Sequence, residues 1–599
     1  MSENYYEEEE FTTEFNGSTL YRILQQGLIH WPWMLAFLIG IGAVALLESY
    51  MTFLGKRIID EGIIPRDFDA LRSIAIEYAL LLIIFAAFVW LFIFTAGTLG
   101  HRVQYDLRKQ MFERIQQLEL GYFDRTPTGW LMSRATSDAS RVGDLVSWGF
   151  LDIAWTIMSV TTSLVFMFVI SWRMTLIVLV MIPVLAWVSI KFKSRILREF
   201  RLVRKINSQI TNAYAENISG VRVVKSLRRE EKNLNQFGVL TDNMFTAGFR
   251  AAWLSALYLP IVILISMVTV AAIVWFSGFE TQIGGITIGG IQAFIGYITF
   301  MLWPIQQMAI VYAQMQQAVA SAERIFSLLD TEPQIIDAED AYDPGTIRGD
   351  IVFDHIDFQY EEGKPVLEDF YLHVKQGETI AIVGPTGAGK STIVNLLCRF
   401  YEPTNGTVRF NGVDYQEMSL YAIHSRIGMV LQTPHLFSGT VRENIRYGRL
   451  SASDDEVYEA SRIAGAHQFI LDLDDGYDTQ VGEGGVLLSV GQKQLLSLAR
   501  AILADPDIFI MDEATSSVDT LTEALVQQGM DVLMEGRTSF VIAHRLSTIK
   551  NADRILVIEN GGVSEMGTHA ELIRAQGHYY NLYTNQFRSQ KEQEYLNEV

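Results

Sequence analysis

Two stretches in the second half of the chain combine residue types that do phosphate chemistry. The first, TIAIVGPTGAGKST, spans residues 379–392. A β-branched apolar run ends at Gly384, a glycine-rich turn follows, and Lys390 opens a helical pattern. This is the G-x-x-x-x-G-K-[ST] pattern in the strand–loop–helix context that it requires. In such a loop, backbone N–H groups and a helix N-terminus surround phosphate oxygens.

The loop predicts a role for each of its polar groups. Lys390 is expected to reach the β- and γ-phosphates of a nucleotide, and Ser391 to ligate Mg²⁺. The remaining predicted nucleotide contacts are Gly384, Pro385, Thr386, Gly387, Ala388, Gly389 and Thr392.

The second stretch, DIFIMDEATSSVD, spans residues 507–519 and is an apolar strand that ends in two carboxylates. Asp512 is predicted to hold Mg²⁺ through water, and Glu513 to polarise the attacking water. Acidic residues at the end of a strand often show only that the strand reaches solvent there. Together with the phosphate loop, however, the pair predicts ATP hydrolysis.

Composition divides the 599-residue chain into an apolar first half and an ordinary second half, so at least two domains are expected. The net charge of −21 disfavours nucleic acid as a partner, because phosphate binding needs clustered Lys and Arg. The single cysteine, Cys398, excludes a disulfide framework within the chain. The acidic N-terminus lacks the features of a secretory signal, so we expect it to begin in the cytosol.

The apolar half contains six stretches long enough, or nearly so, to span a bilayer. They are residues 31–53, 78–100, 146–172, 174–190, 254–278 and 289–315. The third and fourth meet at Arg173, where a tight turn is expected. The basic segments between spans two and three and between spans four and five predict a cytosolic position for those segments and both termini. The loop after the first span contains Lys56, Arg57, Arg66 and Arg72, a weaker opposing signal that nearby acids balance.

The two long cytosolic segments have helical periodicity, which predicts helices that run beyond the bilayer. Each is expected to reverse at a short segment, at residues 121–130 and 212–221. The apolar stripes of such helical hairpins need a partner surface.

Residues 360–547 resemble the nucleotide-binding domain of ATP-binding cassette (ABC) transporters, and the six spans resemble the exporter branch of that family. The implied fold is multi-domain, with a six-helix, all-α transmembrane domain (type IV ABC fold) followed by an α/β P-loop domain. The predicted boundaries are an acidic tail and elbow segment (1–30), the transmembrane domain (31–320), a linker (321–347), the cassette (348–588) and a C-terminal tail (589–599).

The resemblance implies further site residues, including catalytic roles beside Lys390 and Glu513. Tyr360 in FQY resembles the aromatic that stacks on adenine, although a strand aromatic in the core is an alternative. Gln432 in LQTP resembles the glutamine that senses Mg²⁺ and the γ-phosphate, and His544 in AHRLST the switch histidine. The predicted nucleotide contacts of the opposite face are Ser489, Gly491, Gln492 and Asp519.

In this family each ATP lies between the phosphate loop of one cassette and the signature of another, so the chain is expected to work as a dimer. Its signature, LSVGQ, has Val490 where the family usually has glycine, and Gly484 replaces the usual arginine. Glycine allows close approach and unusual φ angles, whereas Val is stiff. The asymmetry favours a heterodimer with one hydrolysing and one degenerate site. A homodimer that tolerates Val490 is the alternative.

The implied function is ATP-driven, multidrug-type export of hydrophobic or amphipathic compounds across the cell membrane, by alternating access. A lipid or lipid-precursor flippase would share every motif, and an ATP-gated channel or sensor is a less favoured reading. Glu48 lies within the first span, where an acid is costly and often functional. It could meet a cationic substrate or hydrogen-bond to a neighbouring helix. These patterns do not identify the substrate.

Overall fold

In the computed structural model of the chain, residues 17–282, 285–512, 520–542 and 546–584 are described. They form two compact units. The first contains the described parts of Met1–Gln116 and Pro127–Thr331, and the second contains Gln117–Thr126 and the described parts of Glu332–Val599. The short early segment Gln117–Thr126 therefore packs with the second unit.

Helices account for almost all of the chain up to residue 331. Their bounds are α1 (Gly17–Leu28), α2 (Trp31–Arg57), α3 (Phe68–Gln117), α4 (Leu120–Arg125), α5 (Thr128–Ser133), α6 (Ala139–Asp144), α7 (Phe150–Ile170), α8 (Trp172–Ser219), α9 (Val221–Ser226), α10 (Glu230–Gln282) and α11 (Ile288–Asp330). Single π-helical turns lie at Ile58–Ile63, Arg134–Asp138 and Leu145–Gly149. Only α4 belongs to the second unit.

Five of the six predicted spans lie wholly on one of these helices, and the third, residues 146–172, covers α7 together with most of the π-helical turn before it, Ser171 and the first residue of α8. Among the described residues, five helical stretches are long and apolar enough to cross a bilayer, and a shorter apolar stretch, Ile288–Pro304, opens α11. In the most apolar 18-residue stretch of α3, only 11% is buried inside the protein. The apolar surface of this stretch therefore needs a non-aqueous environment. The helices α3, α8 and α10 have 50, 48 and 53 residues, more than a bilayer requires, as expected for helices that continue beyond it.

The structure corrects three local predictions in this unit. The third and fourth spans are joined at Ser171, which is extended, whereas Arg173 is already helical. The second cytosolic reversal lies around Gly220 and before Glu230, because α8 stays helical to Ser219 through most of the predicted turn. The first ten residues of the predicted linker are also helical, since α11 ends at Asp330.

The basic residues that opposed the predicted orientation are neutralised by neighbouring acids. The Nζ atom of Lys56 lies 3.0 Å from a carboxylate oxygen of Asp60, and Nε of Arg57 lies 3.0 Å from Glu61. Arg57 also contacts Glu77 on α3. The local net charge of this loop is therefore close to zero.

The second unit contains two sheets. Their strands are β1 (Ile351–Glu361), β2 (Lys364–Val374), β3 (Thr379–Val383), β4 (Asn405–Phe410), β5 (Val413–Asp414), β6 (Ile427–Val430), β7 (Ile508–Asp512), β8 (Thr538–Ile542), β9 (Arg554–Glu559) and β10 (Gly562–Gly567). An antiparallel four-stranded sheet has the order β2-β1-β4-β5, and a six-stranded sheet has the order β10-β9-β3-β8-β7-β6. Helices follow the strands at α12 (Lys390–Leu397), α13 (Leu420–His424), α14 (Val441–Arg446), α15 (Asp454–Ile463), α16 (His467–Leu471), α17 (Val490–Ala504), α18 (Thr520–Met534), α19 (Leu546–Asn551) and α20 (His569–Ala575).

Apolar cores cover both faces of the six-stranded sheet. Ala381 and Val383 of β3 belong to the core that α17 helps to form, whereas Ile380 and Ile382 belong to the core shared with the four-stranded sheet. A strand buried on both faces reads as a nearly continuous apolar run, as β3 (TIAIV) does. The combination of a helical membrane unit with an α/β unit confirms the predicted fold class.

A buried ion pair joins the short helices after the first reversal to the end of α11. Asp138 is 2% exposed and accepts hydrogen bonds from Nε and Nη2 of Arg324, at 2.8 and 2.6 Å. The hydroxyl of Ser321 donates to the same carboxylate at 2.9 Å. With Nη1 of Arg141 at 3.4 Å, four donor atoms therefore converge on one buried acid.

We predict that Asp138→Asn destabilises the membrane unit by about 3 kcal/mol, because it removes one partner of a buried charge pair and leaves the other. The effect should appear as a lower apparent Tm of the purified protein in detergent. Asp144→Asn is the matched control, since Asp144 lies on the same stretch and is exposed. Equal Tm values for the two variants would show that the pair does not hold these helices together.

Candidate functional site

The predicted phosphate-binding and acidic residues lie at one edge of the six-stranded sheet. The strands β3, β8, β7 and β6 are mutually parallel, so their carboxyl ends face the same way. Gly384 follows β3 directly, Asp512 is the last residue of β7, and Gln432 lies two residues after β6. Ligand sites of such sheets form outside the carboxyl ends of the strands.

The loop after β3 has the backbone conformation of an anion cradle. Gly384, Gly387 and Gly389 have φ angles of +153°, +83° and +103°. Gly389 is the cap residue of α12, and a Cβ atom added there would lie 3.0 Å from Leu367. Only glycine combines that φ angle with that close approach. The loop therefore presents its N–H groups and the start of α12 to the space outside the strand ends.

Lys390 is held in place across this loop. Its Nζ atom donates to the carbonyl oxygens of Gly384 and Pro385, both at 2.9 Å. Burial lowers the pKa of Lys390, and the nearby carboxylate of Asp512 opposes that shift. The sheet thus brings the ammonium and the strand-end carboxylate into electrostatic contact, although 122 residues of sequence separate them. Ser391 beside them is exposed, whereas Thr392 is buried.

Tyr360 lies beside the phosphate loop on β1. It is 40% exposed, so it is not a core residue. Its hydroxyl lies 3.1 Å from the hydroxyl of Thr392 and accepts a bond from Asn395 at 3.3 Å. The ring has an edge-on contact with that of Tyr401, at 5.0 Å between centroids. An exposed aromatic at this place can accept a stacked base.

The signature motif forms the start of α17. Ser489 is its cap residue: its hydroxyl accepts from the N–H of Gln492, and the Gln492 side chain accepts from the N–H of Ser489 at 2.9 Å. Val490 is the first helical residue and is 49% exposed, whereas Gly491 is buried. This capping box orders the helix start without using the hydroxyl proton of Ser489, which remains available to donate.

The structure changes the argument about Val490. Its backbone is helical and has no positive φ angle, so the position does not require the conformational freedom of glycine. The expectation based on backbone freedom is therefore wrong. Every L-residue can adopt the backbone angles of a first helical turn, and only crowding of its side chain limits it. What distinguishes Val490 from glycine is the exposed, β-branched side chain at the helix N-terminus.

Gly484 is different, because its φ of +59° lies in the left-handed region. Its carbonyl oxygen accepts a hydrogen bond from Nζ of Lys493 at 3.0 Å. An arginine at this position would carry a backbone penalty of about 1–2 kcal/mol. The departure at Gly484 therefore has a local structural reason.

Three predicted site residues, Glu513, Asp519 and His544, lie outside the described residues. The described strands end next to two of them: β7 ends at Asp512, and β8 ends at Ile542. In register, Asp512 pairs with Ile542.

Sequence reasoning missed Tyr401, which follows α12 in RFYEP. Its hydroxyl donates to Asp124 at 2.5 Å, and its ring contacts those of Tyr360 and Phe358. Burial and the bond to Asp124 raise the pKa of Tyr401, so it stays a donor at physiological pH. Asp124 lies in the predicted reversal at 121–130, but no local signal marks a partner 277 residues away. Tyr401 thus lies between Tyr360 and the segment that joins α3 to α5.

Comparison with known proteins agrees with this geometry. Residues 33–305 match the family model of the ABC transporter transmembrane region, and residues 367–516 match the ABC transporter model. Over 97% of both chains, the sequence is 35% identical to an uncharacterised ABC transporter ATP-binding protein of Bacillus subtilis.

Two similar relatives have named substrates. A fatty acid ABC transporter ATP-binding/permease protein of Mycobacterium tuberculosis is 40% identical, over 86% of this chain and 82% of its own length. An ATP-dependent lipid A-core flippase of Syntrophus aciditrophicus is 34% identical over 95% of both chains.

The chain belongs to the ABC transporter family, and within it to the exporters that join one membrane domain and one cassette in a single chain. It is a half-transporter, a multi-pass membrane protein with a cytoplasmic ATP-binding domain, and it couples ATP hydrolysis to export. These findings confirm the predicted family, enzyme class and membrane location.

We predict that Tyr401→Phe weakens the coupling between nucleotide and membrane helices. The change keeps the ring contacts with Tyr360 but removes a hydrogen bond to a carboxylate, which contributes about 1.5–3 kcal/mol. Basal ATP hydrolysis should stay within about two-fold of wild type. The ATP-dependent change in hydrogen exchange at the cytosolic end of α3 should be reduced.

Tyr421→Phe is the control, because Tyr421 is 76% exposed on the same domain. If the ATP-dependent change in hydrogen exchange is the same in Tyr401→Phe as in the wild type, the hydrogen bond to Asp124 does not contribute to the coupling.

Proposed function

We propose that this chain exports amphipathic compounds as one half of a heterodimer, with one hydrolysing and one degenerate ATP site. The observation that carries the proposal is the contrast between its two nucleotide faces. The phosphate loop, Lys390 and Asp512 come together at the strand ends, with the residue types that hydrolysis needs. The signature face carries an exposed Val490 at the helix N-terminus.

The phosphate face supplies an intact set of groups in this proposal. Lys390 exchanges its carbonyl partners for the β- and γ-phosphates, and Tyr360 stacks on adenine. Glu513 polarises the attacking water, and His544 contacts the γ-phosphate and orients Glu513. Removing such a base lowers kcat by about 10²–10⁴-fold.

Magnesium fits this face. The residues that would hold it are Ser391, Asp512 and Gln432, with water and phosphate oxygens completing the shell. Among the described residues, no cluster of three or more His, Cys, Asp or Glu forms a metal cage. One carboxylate and one hydroxyl beside a phosphate loop is the donor set that Mg²⁺ takes with nucleotides. The ion would neutralise charge that develops on the transferred phosphoryl group.

The signature face serves the other ATP in the dimer. Ser489, Gly491 and Gln492 would meet the γ-phosphate bound by the partner, and Asp519 would lie in the crossing loop. The isopropyl group of Val490 takes up space at the helix N-terminus, where a phosphate must approach backbone N–H groups closely. This site then binds ATP but turns it over slowly.

The proposed cargo is a hydrophobic or amphipathic small molecule, as in multidrug-type export from the lipid phase. A lipid or lipid-precursor flippase is the second candidate, and the names of two relatives favour it. Both cargoes enter from the bilayer, and both use alternating access driven by the tighter binding of ATP to the closed dimer. A transport assay in proteoliposomes that compares labelled lipids with lipophilic dyes distinguishes these two cargoes.

We predict that the chain purified alone has little ATPase activity, and that Glu513→Gln abolishes hydrolysis in the complex with its partner. The reason is that only the site with Lys390 and Glu513 turns over. Two results would contradict this: robust ATP hydrolysis by a homodimer of this chain, or survival of half of the activity in the Glu513→Gln complex.

A second prediction concerns Val490→Ala, which removes the branched side chain and keeps the helix. We expect slower release of bound ATP from the degenerate site, with kcat changed by less than about two-fold. Val486→Ala is the control, because Val486 is 72% exposed and lies outside α17. A several-fold rise in kcat would show that Val490 faces a hydrolysing site.

A further inference from the structure

Glu48 is an acid in the middle of an apolar membrane helix. It is the only charged residue in the first 25 residues of α2, from position 31 to position 55. A charged group at this depth is costly, and such residues usually face a cavity or a partner. The described structure gives Glu48 partial exposure, so its carboxylate is not sealed in a core.

The packing around Glu48 supplies no cation. The helices α2, α7 and α11 pack on one another, as shown by the hydrogen bonds from Ser49 to Thr162 and from Tyr297 to the carbonyl of Ser49. No Lys or Arg occurs in α7, and the first one in α11 is Arg324 near its end. No ion pair among the described residues includes Glu48. Its one assigned partner is the side chain of Trp155, whose indole N–H donates to it.

Trp155 belongs to an aromatic cluster that spans two helices. Its ring lies 5.1 Å from that of Trp303 at 72°, and 5.8 Å from that of Phe300 at 83°. Trp303 is 51% exposed, so part of its ring surface is open to a ligand. Aromatic faces beside an acid recognise ammonium-type cations, and desolvation strengthens the attraction. A cation bound there would neutralise the carboxylate that the protein leaves without a countercharge.

We propose that Glu48, Trp155, Trp303 and Phe300 form a substrate subsite for the cationic head of an amphipathic molecule. This inference rests on the proposed export function and narrows its substrate class to lipophilic cations. A fatty acid anion would be repelled by the same carboxylate, so the chain differs in cargo charge from the relative whose name specifies a fatty acid. The apolar part of the ligand would lie along α2, α7 and α11.

The test compares two ions of the same shape and opposite charge. Tetraphenylphosphonium and tetraphenylborate are titrated against the full transporter in nanodiscs, without ATP, using tryptophan fluorescence and equilibrium dialysis. The variant Glu48→Gln keeps the acceptor for the Trp155 N–H and removes the charge. Asp69→Asn is the matched control, because Asp69 is exposed and lies in the first turn of α3, outside the aromatic cluster.

We expect the wild type to bind the phosphonium more tightly than the borate. Glu48→Gln should weaken phosphonium binding by about tenfold, equivalent to 1.4 kcal/mol. The phosphonium affinity of Asp69→Asn should equal that of the wild type. Trp303→Ala should weaken it as well. Basal ATP hydrolysis, measured separately, should be the same in Asp69→Asn as in the wild type, since this control lies outside both the subsite and the cassette.

Equal binding of the two ions by the wild type, or an unchanged phosphonium affinity in Glu48→Gln, would overturn the subsite. ATP-dependent transport of uncharged amphiphiles by the same protein, reconstituted in proteoliposomes, would then show that export itself stands. Absence of any ATP-dependent transport would instead count against the proposed function.

Discussion

β3, β8, β7 and β6 run in the same direction within one sheet, and the ATP chemistry depends on this parallel pairing. It brings the phosphate loop, Asp512 and the segment with Gln432 to a single edge, although they lie far apart in the chain. Cores on both faces of β3 hold the loop that follows it. The ammonium of Lys390 and the carboxylate of Asp512 can therefore approach each other before a nucleotide arrives. Preorganised charge of this kind costs no rearrangement at the moment of reaction.

Within the second unit, Tyr401 connects β1 to the short segment Gln117–Thr126. Its ring lies against that of Tyr360, and its hydroxyl donates to Asp124. In the membrane unit, the pair between Asp138 and Arg324 holds the helices after that segment to the end of α11. Each unit therefore has its own specific contacts between segments that lie far apart in the sequence.

The parts of the fold and site that sequence could predict are those with local signals. The phosphate loop, the strand ending at Asp512 and the six apolar spans depend on short-range patterns, and the structure has them in those places. The junction at Ser171 and the late end of α8 were misplaced by a few residues, because short-range patterns do not fix the exact residue at which a helix ends. The Asp124–Tyr401 bond could not be predicted, since it depends on tertiary approach. The argument from backbone freedom at Val490 failed, because the first residue of this helix has ordinary helical angles and does not need the unusual φ angles that glycine allows.

The central claim is that the two ATP sites of the transporter are unequal and that this chain owns the hydrolysing one. The most direct test is to trap the purified transporter with vanadate during turnover and count the bound nucleotides on each subunit. The account predicts one ADP, cross-linked to the phosphate loop that contains Lys390, and one unhydrolysed ATP on the partner subunit. Equal amounts of ADP at both sites would contradict it.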